Sequence, residues 1–169
     1  SSDVCSSDLP VAAGFLGVAL SVGWTVSEIV SASVSRTRAT ARIVAVAPLV
    51  MAAGLALAAV SQIDEASLSV VTVWVVALFV AGCGIGMAWP HLSAWAMGDV
   101  ADPAEGGVAA AAINTVQLMC GAFGAGLAGV VVNVSGHGDA SAARWMFGLF
   151  AGLAALTGIA SYRASRARS

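Results

Sequence analysis

Between Gly106 and Asn133 the chain carries no charged side chain. At 1.5 Å per residue, a helix of that length covers the ~30 Å hydrocarbon core of a bilayer with some tilt. The run is introduced by Asp102-Pro103-Ala104-Glu105. An aspartate at the N-cap, a proline at the first helical position and a glutamate at the third are start signals for a helix. Two amides, Asn114 and Gln117, interrupt the run three residues apart, and Gly121 and Gly124 continue their face at helical spacing. The stretch reads as a transmembrane helix whose polar face turns towards protein or a water-filled cavity.

The rest of the chain follows the same rule. Charged residues make up 9% and apolar residues 59% of the sequence, and the mean hydropathy is +0.93. An average soluble domain carries roughly 25% charged residues, so this chain lacks the surface a water-soluble fold needs. The chain has no lysine, and with a formal net charge of −2 nothing suggests nucleic acid as a partner. The first nine residues, SSDVCSSDL, are polar and resemble the translation of a sequencing adapter. They are set aside with Cys5, Asp3 and Asp8, and the native chain is expected to enter at about Pro10, as a C-terminal fragment.

Five spans are predicted in a transmembrane domain over 10–169: about 10–34, 42–60, 68–97, 103–133 and 143–162. Glu28 is the only charge in the first, where Gly14, Gly17, Ser21, Thr25, Glu28 and Ala32 recur at three- and four-residue steps. The loop SVSRTRATAR holds Arg36, Arg38 and Arg42. The second span is apolar from Ile43 to Val60, with Pro48 expected to kink it or reset its first turn. The third carries Gly82, Gly84 and Gly86 before Trp89-Pro90-His91, where Pro90 should bend or break the helix near one membrane face. The loop after it holds Asp99, Asp102 and Glu105, and the turn-rich NVSGHGDAS follows the fourth span.

Arginine counts orient the spans. Arg36, Arg38 and Arg42 fall on the same side as Arg163, Arg166 and Arg168 if five helices cross, and the opposite side has Arg144 alone. The C-terminus is therefore expected in the cytoplasm. Trp74 and Trp145 fall near outer helix ends, and Trp89, Trp95 and Tyr162 near inner ends, as an aromatic belt; Trp24 lies well inside the first span.

Polar residues concentrate on spans one, three and four, as Glu28, His91, Asn114 and Gln117, while spans two and five carry almost none. The cost of polar groups in lipid assigns the first set to a protein interior and the second to lipid. Glu28 has two readings: an intramembrane carboxylate with a function, or a rim glutamate paired with Arg36 or Arg38. Asn114 and Gln117 either bind a solute or bond neighbouring helices. Gly121, Ala125 and Gly129 form a small-residue series suited to helix packing. His91 is either interfacial or a proton relay. Cys83 and Cys120 read as packing residues inside apolar helices. The GCGIG run, Gly82 to Gly86, follows no strand and is no dinucleotide loop. Gly98-Asp99 lacks the second membrane aspartate of an intramembrane protease, and no nucleophile elbow or metal-spaced His–Cys cluster occurs, so neither an enzyme nor a metal or other cofactor is indicated.

The segments GFLGVALSVGWTVSEIVSASVSR, GCGIGMAWPHLSAWAM and AAINTVQLMCGAFGAGLAGVVVN, in this order, resemble the C-terminal half of a bacterial major facilitator superfamily transporter, best in its multidrug-efflux branches. The resemblance covers Pro10 to Arg168. It implies an all-α polytopic bundle, incomplete by itself, whose five spans match the family's eighth to twelfth helices. It further implies cavity-facing first, third and fourth spans, a cytoplasmic C-terminus in the bacterial inner membrane, and proton-coupled movement of a small-molecule solute by alternating access. The missing N-terminal half would be its partner. Trp24 and Thr25, in the Gly-Trp-Thr of the first span, then join Glu28, His91, Asn114 and Gln117 as pathway candidates. The family's loop pattern of glycine and Asp-Arg is absent from SASVSRTRATAR, and Glu28 stands where such sequences have a small residue. The competing class is a non-transporting helical membrane scaffold that binds partner helices.

Overall fold

A backbone in hydrocarbon finds no water to bond, so each segment that crosses must satisfy its own N–H and C=O groups, as a helix does. The computed structural model follows this constraint. It describes residues 3–98, 100, 102–135 and 138–167, with side chains over 14–98, 100, 102, 104–135 and 138–163. Asp99, His137 and Arg168 lie outside the described residues, as does the side chain of Arg166. The helices are α1 (Asp3–Ala32), α2 (Thr37–Val60), α3 (Leu68–Gly98), α4 (Gly106–Ser135) and α5 (Asp139–Ala167), with a 3-10 turn at Pro103–Glu105. All five are long and apolar enough to cross a membrane.

Helix limits differ in instructive ways from the sequence reading. Helix α1 reaches back to Asp3, through the adapter-like segment. Helix α2 starts at Thr37, taking Arg38 and Arg42 into its first turns and placing Pro48 in its interior. Pro90 does not break α3, which runs helical from Leu68 to Gly98. A proline removes the N–H that would reach the carbonyl four residues back, and neighbouring side chains can compensate in a membrane helix. For Pro90 that carbonyl belongs to Gly86; the Ser31 hydroxyl donates to the next one, the carbonyl of Met87. The start of α4 follows the sequence signal: Asp102 Oδ1 accepts the Ala104 N–H at 2.9 Å, and the Glu105 N–H reaches the Asp102 carbonyl at 2.9 Å.

Among the described residues, α3 and α2 are the helices packed on two sides, and α1 and α4 are the peripheral ones. Helix α3 lies between α1 and α2, α2 lies between α3 and α5, and α4 touches α5 and, less, α3. Helix α1 touches only α3. The buried apolar residues are nearly all alanines: Ala45, Ala47, Ala52, Ala58 and Ala59 on α2, Ala77 and Ala81 beside Leu78 on α3, and Ala151 and Ala154 on α5. Lipid tails are as apolar as leucine, so helices associate through close van der Waals packing, which small residues permit. Helix α4 buries no residue at all.

The far end of α2 is tied down on three sides. Trp74 Nε1 of α3 donates to the Ser61 carbonyl at 3.1 Å, and Arg144 Nη2 of α5 donates to the Gln62 carbonyl at 2.7 Å. The buried Gln62 amide turns back to the Ala58 carbonyl at 2.9 Å. These bonds satisfy carbonyls that a helix C-terminus leaves open, and the guanidinium complements its negative end.

Candidate functional site

The GCGIG run, Gly82 to Gly86, is a place of close helix approach. A side chain at Gly82 would strike the Leu20 carbonyl, and one at Gly86 would strike Ser27 Oγ and the Trp24 carbonyl. Both glycines therefore admit the backbone of α1. Gly84, on the opposite side of α3, admits Met51 of α2. Gly23 of α1 and Gly54 of α2 return the arrangement, lying against Phe79 and against Ala77 and Ala81 of α3. Glycines two apart on a helix point in nearly opposite directions, so one short run lets α3 be approached from both sides.

This approach assembles a polar cluster between α1 and α3. Ser31 and His91 are both buried, and Ser31 Oγ lies 2.9 Å from His91 Nε2. The serine proton is committed to the Met87 carbonyl at 2.7 Å. A hydroxyl has one proton to give, so His91 Nε2 must carry its own proton and donate to Ser31. The sequence reading singled out His91 and missed Ser31. Nothing in the local sequence marks Ser31 apart from its place in a line with Ser27 and Trp24, one helical turn at a time.

Glu28 sits half-buried at the edge of the same interface. Its Oε2 accepts the Trp24 indole N–H at 2.9 Å, one turn along α1. The partner the structure provides is thus Trp24, rather than Arg36 or Arg38. Indole is a donor only. The bond therefore runs from the Trp24 N–H to the Glu28 carboxylate and fixes the orientation of both side chains along α1. Thr25 and Ser21 are exposed and bond backward to the Ser21 and Gly17 carbonyls at 2.9 and 3.0 Å. Gly14, Gly17, Ser21 and Thr25 form an open stripe beside the face of α1 that meets α3.

The α4 candidates stand apart from this cluster, because α1 and α4 make no contact. Half-buried Gln117 shares a stripe with Gly124, Ala128 and Val131, whereas Asn114, Gly121, Ala125 and Gly129 are exposed. Side chains added at Gly121 or Gly129 would meet nothing within 4 Å. Among the described residues, neither the Asn114 nor the Gln117 amide has a hydrogen-bond partner. Cys83 is half-buried and Cys120 exposed, both as free thiols.

Two curated relatives match the chain. They are probable multidrug-efflux transporters of Mycobacterium tuberculosis, from strains CDC 1551 / Oshkosh and H37Rv, each 58% identical over 156 residues. The match covers 92% of this chain and 33% of each relative, so the chain spans about a third of their length. No family profile matches. No solved structure matches. With five helices able to cross a bilayer and relatives that are transporters, the chain is a multi-pass membrane protein.

Proposed function

We propose that this chain is the C-terminal part of a major facilitator superfamily transporter that exports a small solute in exchange for protons, in the cytoplasmic membrane of a bacterium and with its C-terminus in the cytoplasm. The observation that carries the reading is the open, acid-bearing face of α1. Its small residues and Glu28 touch no helix of this chain apart from α3, within a sequence 58% identical to probable efflux transporters. An ionisable residue in a membrane helix turns towards a protein interior or water rather than lipid. The rest of the transporter supplies that interior.

In alternating access, two halves rock about a site near the membrane midplane. Helix α1 then lines the pathway with Ser21 and Thr25, and Glu28 gains and loses a proton while Trp24 holds it in register. The exposed stripe of Asn114, Gly121, Ala125 and Gly129 on α4 receives a helix from the rest of the protein, and Asn114 faces the solute or that helix.

The test is proton-driven efflux from vesicles holding the full-length transporter. Glu28→Gln keeps the size of the side chain and removes the charge, so it should abolish coupled transport while the protein still folds. Glu28→Asp should keep part of the activity. Unchanged transport by the glutamine variant would make Glu28 a rim residue.

A further inference from the structure

A groove of about 610 Å³ runs along α5, starting beside the C-terminal end of α2. Val60 of α2 and Gly148, Gly152 and Leu156 of α5 line it, with Arg144 and Trp145 at one end. Arg144 is its only charged residue. Added side chains at Gly148 and Gly152 would meet nothing within 4 Å, so these glycines leave the groove open. Trp145 is 67% exposed at its mouth.

Length and chemistry identify an occupant. From Arg144 to Leu156 the groove follows α5 for about 18 Å at 1.5 Å per residue. One leaflet contributes about 15 Å, half of a ~30 Å hydrocarbon core. The groove thus runs from the headgroup level to near the midplane, which is the reach of one acyl chain and short of a whole crossing helix. Arg144 gives one Nη2 proton to the Gln62 carbonyl. A guanidinium has five N–H donors in a fixed fork, so the same bond that orients it leaves donors for a phosphate. A tryptophan at this level fits the interface, where an amphipathic ring is favoured.

We propose that this groove is a site for an anionic phospholipid, with an acyl chain lying over Gly148 and Gly152 and the lipid phosphate on Arg144, whose positive charge favours a net-negative headgroup over a zwitterionic one. The proposal goes beyond transport and depends only on the chain spanning a bilayer. The experiment uses the full-length protein in nanodiscs of phosphatidylcholine, with acyl-brominated phosphatidylglycerol as a minor component. Quenching of Trp145 is isolated by difference from Trp145→Phe. The expected result is quenching several-fold above the mole fraction of the label. Arg144→Gln, which keeps a donor for the Gln62 carbonyl, should return it to the mole fraction, and Arg144→Lys should restore the excess. Gly152→Leu, which fills the groove, should also remove the excess. Quenching of the unsubstituted protein that only follows the mole fraction would overturn the proposal. So would quenching below it, which means that another helix or a second copy covers the groove, and so would an excess that survives Arg144→Gln.

Discussion

At the scale of single residues, the contact between α1 and α3 makes the sharpest claims. Ser31→Ala removes both the hydroxyl that accepts from His91 and the donor to the Met87 carbonyl. Interhelical hydrogen bonds in membranes contribute about 0.6–2 kcal/mol. Thermal unfolding of the detergent-solubilised full-length protein should register a loss of that order, and an unchanged midpoint would show that the cluster holds nothing together. Trp24→Phe keeps the ring and deletes the donor to Glu28. If Trp24 positions the carboxylate, this variant should slow proton-driven transport more than it lowers stability. The same transport deficit with an equal loss of stability would assign Trp24 to packing alone.

At the scale of helices, glycines separate into two kinds. Gly82 and Gly84 lie against backbone atoms or the first side-chain carbon of neighbouring helices, and Gly86 against the Trp24 carbonyl and Ser27 Oγ, where little can yield. Gly82→Leu should therefore drive α1 away from α3, at a cost of at least the ~1–3 kcal/mol typical of overpacking, visible as lost yield and a lower unfolding temperature. Gly121 and Gly129 meet nothing in this chain. If α4 packs against the rest of the transporter through them, Gly129→Leu should destabilise the full-length protein as well. Equal yield and equal unfolding temperature would leave that face to lipid. The two experiments differ because α3 has neighbours on both sides and α4 contributes no buried residue.

At the scale of the whole molecule, topology and orientation are the testable properties. Five antiparallel crossings, as proposed, would put the α1–α2 connection and the C-terminal end of α5 on one side. Arg36, Arg38, Arg42 and Arg163 gather there, and Arg144 stands at the other end, against the C-terminus of α2. In the proposed topology the positive-inside rule predicts that the arginine-rich side is cytoplasmic. Reporter fusions after Ser67 and at Ser169 should read opposite sides, with the second cytoplasmic. The same side for both would reduce the number of crossings.

The sequence alone determined that this chain is a set of helices long and apolar enough to cross a membrane. Hydropathy is a local property, and an uncharged run such as Gly106–Asn133 has few other ways to satisfy its backbone in lipid. It also marked Glu28 and His91, because an ionisable group among apolar neighbours stands out without any partner being known. Only the tertiary structure decided which faces meet. Apolar pattern does not distinguish a helix-facing side from a lipid-facing one, since both are greasy and association rests on close packing. The glycines of α3 and those of α4 look alike in one dimension, yet the first admit two neighbouring helices and the second none in this chain. The pairing of Ser31 with His91, and of Arg144 with the Gln62 carbonyl, joins residues far apart in the chain. Such partners are set by how backbones approach one another, which no local run of residues encodes.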